Sequence, residues 1–181
     1  DLQRNAAIAL KRAKVAGPGN DTYYTAEVGV LTRQRIHMLH DLRAALDNRD
    51  LFVVYQPQID LASGAVVGIE ALLRWRTAAG EFVPLEQFIA IAEQSGLMLD
   101  LNDWILGQAA RDVGAWRRAG WANARVAINV SAQQVMSGDF VGEIERLLEH
   151  HGLPADAIEL ELTENMLQTG AITVESLRAL R

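Results

Sequence analysis

The chain contains no cysteine, and after Lys14 it contains no lysine. The first absence excludes disulfides, thiolate zinc sites, iron–sulfur clusters and cysteine nucleophiles. The second leaves arginine as the source of fixed positive charge for any chemistry beyond residue 14. Aromatic residues make up only 6%. No apolar run reaches the roughly 18 residues that would argue for a membrane span. Residues 1–20 carry Asp1, Arg4, Lys11, Arg12 and Lys14 with no apolar block of the kind a signal peptide needs. The expectation is a cytoplasmic segment without membrane contact, one that a sensor or membrane segment could precede. Glycine-loop motifs for phosphates, G-x-x-x-x-G-K-[ST] and G-x-G-x-x-G, are also missing. A formal charge of −6 argues against a nucleic-acid polymer as partner, because such binders neutralise backbone phosphates with clustered bases.

What is present is an ordinary globular composition, 50% apolar and 22% charged over 181 residues. The charge is uneven. Residues 1–50 hold eight basic and six acidic groups, whereas 51–181 hold nine and seventeen. A compositional boundary near residue 50 follows.

Periodicity predicts an amphipathic helix over 1–16, stopped by Gly17-Pro18-Gly19-Asn20, then a short strand over 21–25. Apolar residues at three- and four-residue spacing predict a connecting helix within 26–48. From residue 51 the pattern changes. Strands are expected at 51–59 and 66–75 around a Ser63-Gly64 turn, forming a hairpin. Helices are expected at about 84–94, 101–119 and 139–151, with strands at 125–130 and 157–162 and a last helix from about 171. Ser131-Ala132-Gln133-Gln134 has the form of a capping box. Near-continuous apolar strands alternating with helices imply a parallel sheet covered by helices. Three such strands and a hairpin are too few for an eight-stranded barrel of about 250 residues. The fold class is therefore α/β, a partial (β/α)8 TIM-like barrel with an initial antiparallel hairpin, truncated before closure.

Three oxygen-bearing side chains interrupt these apolar strands: Glu70 in VVGIEALLRW, Asn129 in RVAINV and Glu161 in AIELEL. Active sites of α/β barrels assemble at strand C-termini, and a carboxylate in a buried strand is costly unless paired or bound to a cation. Two carboxylates and an amide suit Mg²⁺ or Mn²⁺ better than zinc. The same glutamates could instead pair with Arg74, Arg76 or Arg125. Glu159 shares the strand face of Glu161, so periodicity does not choose between them. Other candidates read as structural: His150-His151 as cations favouring the C-terminus of a helix, Ser131 as a cap, and Trp75, Trp104, Trp116 and Trp121 as packing groups.

Glu70-Ala71-Leu72-Leu73-Arg74-Trp75, with Tyr55-Gln56-Pro57 before it, resembles the signature of EAL domains, the cyclic di-GMP phosphodiesterases. Phe82-Val83-Pro84-Leu85, Phe88-Ile89-Ala90, Ile128-Asn129-Val130-Ser131 and Glu161-Leu162-Thr163-Glu164 follow in the family's order. The resemblance implies a modified (β/α)8 barrel in which two divalent cations, Mg²⁺ or Mn²⁺, activate water to open cyclic di-GMP to linear pGpG. It implies Glu70, Asn129 and Glu161 as metal ligands, Gln56, Leu72 and Arg74 as substrate-binding residues, and Glu164 as support for the loop over the site. Residues 5–20 resemble the final helix of a GGDEF domain, the diguanylate cyclase module.

The expected organisation is thus a GGDEF-like tail at 1–25, a linker helix at 26–50 and the N-terminal part of an EAL domain at 51–181. The resemblance also suggests a homodimer, and an upstream GGDEF or sensor domain in the same chain. A paired-aspartate segment, a strand lysine and late glutamate and glutamine residues that the family would bring are not found, so catalytic groups are expected beyond residue 181. Residues 1–181 by themselves are expected not to hydrolyse the ligand. The alternative is a module that binds cyclic di-GMP or a protein partner without cutting it.

Overall fold

The computed structural model describes residues 2–17, 25–48, 50–136, 139–162 and 178. The chain divides into two compact units, Asp1–Ala44 and Ala45–Arg181. The first contains helix α1 (Leu2–Ala16) and most of helix α2 (Ala26–Asn48), which runs into the second. Lys14 lies in the last turn of α1, where a cation complements the helix dipole. Gly17 follows with φ 96°, a left-handed conformation that ends the helix where the Gly17-Pro18-Gly19 run predicts. The strand expected at 21–25 and the helix expected from 171 fall almost wholly outside the described residues.

In the second unit, strands β1 (Leu51–Ile59) and β2 (Val66–Arg76) form an antiparallel hairpin. Its turn is built by Asp60, whose Oδ1 accepts from the Ser63 amide at 2.7 Å and from Ser63 Oγ at 2.6 Å. Those donors hold the Asp60 carboxyl below the usual range. Gly64 supplies the positive φ of 70° that lets the chain return. Strand β3 (Phe82–Val83) adds to the end of β2. It is too short for periodicity to reveal.

Helices α3 (Leu85–Ser95) and α4 (Met98–Arg118) then carry the chain to β4 (Val126–Val130), parallel to β2. Helix α4 begins three residues before the expected start, because only Gly96 and Leu97 separate it from α3. A short helix α5 (Ala132–Met136) and helix α6 (Phe140–His151) lead, through a 3-10 turn at Ala155–Ala157, to β5 (Ile158–Leu162), parallel to β4. Asp139 caps α6 by accepting the Gly142 amide at 3.3 Å.

The sheet order is β1-β2-β4-β5 with β3 on β2, and among the described residues it is open. This is the partial (β/α)8 arrangement expected from the sequence, antiparallel hairpin included. One face of the sheet carries the core: Ile69, Ala71, Val126, Ile128 and Val130 pack with Leu106, Ala109 and Val113 of α4 and Phe140 and Ile144 of α6. Trp75 and Phe88 meet edge to face at 5.6 Å between centroids, and Tyr55 and Trp116 at 4.7 Å. Both tryptophans serve packing, as predicted. Among the described residues no helix is long and apolar enough to cross a membrane.

Ile128 is 1% exposed and Leu61, at the hairpin tip, 98%. Ile128→Ala should cost about 2–5 kcal/mol in urea unfolding, whereas Leu61→Ala should stay within about 0.5 kcal/mol. Equal effects would contradict the placement of the core.

Candidate functional site

Side chains alternate along a strand, and directly paired residues share a face. Gln56 pairs with Glu70, Val54 with Leu72 and Phe52 with Arg74. Glu70 pairs with Ala127, and Asn129 with Glu161. Gln56, Glu70, Leu72, Arg74, Asn129 and Glu161 therefore lie on one face, opposite the helix-packed core. Glu164 lies outside the described residues.

Within this group the structure brings three side chains together. Asn129 Nδ2 donates to Glu70 Oε1 at 2.9 Å. Glu161 stands beside Asn129 in the ladder, and its carboxyl is held above the usual range, first by burial, then by the negative charges of Glu70 and Glu159. Strands β2, β4 and β5 each supply one oxygen-bearing group. The expectation of carboxylates enclosed in buried strands needs correction: Glu70 and Glu161 are half-buried and Asn129 is exposed. The strands read as apolar because their other face is buried.

Glu159 and Glu161, indistinguishable by periodicity, are separated by their partners. Glu159 Oε2 pairs with Arg125 Nε at 3.3 Å. Among the described residues no arginine forms an ion pair with Glu70 or Glu161.

Arg74 is two pleats further along β2, about 13 Å from Glu70 along the strand. Its Nη1 donates to the Leu73 carbonyl at 2.8 Å. It borders a groove of about 640 Å³ with Phe52, Val54, Phe82 and Pro84. Beside it the Arg76 guanidinium lies 4.7 Å from the Phe82 ring centroid and 5.3 Å from that of Phe52. Sequence reasoning assigned Phe52 and Phe82 no role in this groove. Their pairing follows from β3 joining β2, with only the Gly80 turn as a local signal.

Ser131 Oγ accepts from the Gln134 amide at 3.3 Å and from Asn102 Nδ2 at 2.8 Å, so it is a cap. His150 and His151 lie in the last turn of α6, as expected, and burial, then His150, Arg111 and Arg118, push the His151 imidazole below its usual range. Among the described residues no group of three or more His, Cys, Asp or Glu side chains forms a metal cage. The converging set is two carboxylates and an amide.

An open sheet, parallel from β2 through β4 to β5, with oxygen donors converging on the face opposite the helices defines the class, a barrel-type α/β domain. The model of the EAL domain family matches residues 39–181, and the chain belongs to that family. It is 36% identical over 167 residues to the cyclic di-GMP phosphodiesterase NbdA of Pseudomonas aeruginosa, covering 92% of this chain and 21% of that protein. It is 32% identical over 165 residues to the bifunctional diguanylate cyclase/cyclic di-GMP phosphodiesterase MucR of the same organism, covering 91% and 24%. The chain thus spans about a quarter or less of the length of these curated relatives. The solved PaMucR phosphodiesterase in complex with c-di-GMP superposes with a TM-score of 0.75 at 33% identity, over 80% of this chain and 59% of that one. The EAL enzyme Bd1971, bound to cAMP and cyclic di-GMP, gives 0.75 at 28% identity, over 99% and 47%.

A carboxyl whose pKa is raised on folding favours the folded state fully below its unfolded value, and that preference is lost as pH rises through the folded value. Charged Glu161 therefore costs stability at neutral pH. In the presence of chelator, Glu161→Gln should raise Tm at about pH 7, and the gain should vanish near about pH 3.5, where the carboxyl is protonated in both states. A gain of the same size at both pH values would remove the electrostatic cause.

Proposed function

We propose that the protein containing this chain hydrolyses cyclic di-GMP to linear pGpG, with Glu70, Asn129 and Glu161 holding a divalent cation, Mg²⁺ or Mn²⁺. The observation that carries the reading is the convergence of these three side chains from separate strands on one face. Two carboxylates flank an amide with no arginine ion-paired to them among the described residues, a donor set suited to a hard cation. When bound, such an ion supplies Lewis acidity for in-line displacement at a phosphodiester. Membership of the EAL family and the names of the relatives support the substrate.

The remaining roles follow from position. Asn129 Nδ2 orients the Glu70 carboxylate and leaves its own Oδ1 as a donor to the cation. Arg74, on the same sheet face and bordering a groove further along β2, offers its planar fork to a phosphate oxygen. Gln56 and Leu72 flank Glu70 and line the ligand site. Glu164 is proposed to support the loop over the site. Residues 1–25 are read as the tail of a GGDEF domain and 26–50 as a linker helix. The bifunctional name of the MucR relative supports that arrangement.

In the full-length protein, Glu70→Ala, Asn129→Ala and Glu161→Ala should each lower kcat/KM for cyclic di-GMP by at least about 100-fold, more than loss of an outer partner costs. Glu159→Gln should change it by no more than about threefold, since its partner is Arg125. Calorimetric titration with Mn²⁺ should show weakened binding in the first three variants only. Full activity in Glu70→Ala and Glu161→Ala would remove the metal site. Binding of cyclic di-GMP without hydrolysis in the wild-type protein would favour a receptor instead.

A further inference from the structure

Strand β1 stands at one end of the sheet order, with β2 as its neighbour among the described residues. Gln56 is its member of the ligand face and pairs directly with Glu70. Just beyond Gln56 the strand is weakly held. Pro57 has no amide to give the ladder, and the register shifts between Gln58 and Ile59. Immediately before Gln56 the strand is pinned from its other face. Tyr55 packs against the helix-covered core, and its hydroxyl donates to Asp112 Oδ2 of α4 at 2.6 Å. Among the described residues no other β1 side chain hydrogen-bonds to a helix.

Both ends of this bond are themselves held. Asp112 Oδ2 also accepts from Gln108 Nε2 at 2.9 Å, and Gln108 Oε1 accepts from Arg111 Nη2 at 2.8 Å. The carboxylate is thereby fixed one turn back along its own helix. The Tyr55 ring meets Trp116 edge to face. Tyr55 and Asp112 are half-buried, where a hydrogen bond to a charged acceptor is stronger than in water. Burial and the Asp112 carboxylate hold the Tyr55 hydroxyl far above its usual range, so it stays a donor.

We infer that Asp112, on the opposite side of the sheet from Gln56, is a positioning residue for the ligand site: through Tyr55 it fixes β1 and so sets where Gln56 stands beside Glu70. Successive side chains of a strand point to opposite faces, so a bond on the helix side restrains the backbone from which Gln56 projects. The inference rests on the proposed reading of that face as the cyclic di-GMP site. The proposed cation donors lie on β2, β4 and β5 and none on β1. Loss of the pin should therefore loosen the hold on the ligand and spare the cation.

In the full-length protein, Asp112→Ala and Tyr55→Phe should each raise KM for cyclic di-GMP about fivefold, with kcat changed by no more than about twofold. Asp112→Asn keeps an oxygen for the hydroxyl and should stay within about twofold of wild type. Calorimetric titration with Mn²⁺ should give affinities within about twofold of wild type in all three. In a Gln56→Ala background, Asp112→Ala should add no more than about twofold to KM, because the group that the pin positions is gone. A role in folding alone predicts otherwise: a lower Tm with KM unchanged, or the same rise in KM with and without Gln56. Either result would overturn the inference, as would equal losses in Asp112→Asn and Asp112→Ala. Tyr55→Phe keeps the ring on Trp116 and leaves Gln108 as a partner of Asp112, so it carries the test should Asp112→Ala not fold. A wild-type protein that neither binds nor cuts cyclic di-GMP would remove the underlying reading and the inference together. Wild-type turnover that these variants leave unaltered would remove the inference alone.

Discussion

The structure of the second unit depends on a two-residue alternation. In β2 the side chains of Ile69, Ala71, Leu73 and Trp75 are buried, and Glu70, Leu72 and Arg74 stand between them. Helices α4 and α6 cover one face of the sheet and bury Val126, Ile128 and Val130 there. Apolar burial is worth about 25 cal/mol per Å², so a register slip by one residue would expose that core and bury the polar set. The core thus holds the polar side chains in place without touching them. Glu70, Asn129 and Glu161 are where they are because their neighbours are not free to move.

That separation of faces explains how three oxygen donors coexist in strands that look apolar. None of the carboxylates has to be fully desolvated, and the penalty that would otherwise force pairing is only partly incurred. The part that is incurred is visible in the raised carboxyl of Glu161, set first by burial and then by the negative charges of Glu70 and Glu159. Glu159, one pleat away on the same strand, is neutralised by Arg125. The two glutamates differ in partner and not in sequence pattern. Chemistry and scaffold are distributed over the two sides of one sheet, as barrel architectures require.

The helix layer has its own division of labour. Helix α4 buries an aliphatic side against the sheet and presents a charge-segregated side outward. Asp100 in its first turn and Arg117 and Arg118 in its last complement the helix dipole. At the hairpin end of the domain the turn is held locally, Asp60 accepting from the Ser63 amide and hydroxyl.

Much was legible in the residues themselves. The order of elements, the hairpin, the parallel strands and the cap at Ser131 follow from alternation, apolar spacing and turn chemistry, which are local properties of the chain. The candidate residues were visible as polar interruptions of apolar strands and as a family motif. Local pattern could not say whether Glu159 or Glu161 faces Glu70 without an arginine partner, nor that β3 brings Phe82 beside Arg76. Nor could it say that burial, with His150, Arg111 and Arg118, depresses His151, or that the donors lie on an open face. Those facts depend on which strand lies beside which and on the register between them. Distances across a sheet are decided by pairing, and pairing by burial of a core drawn from residues far apart in the chain.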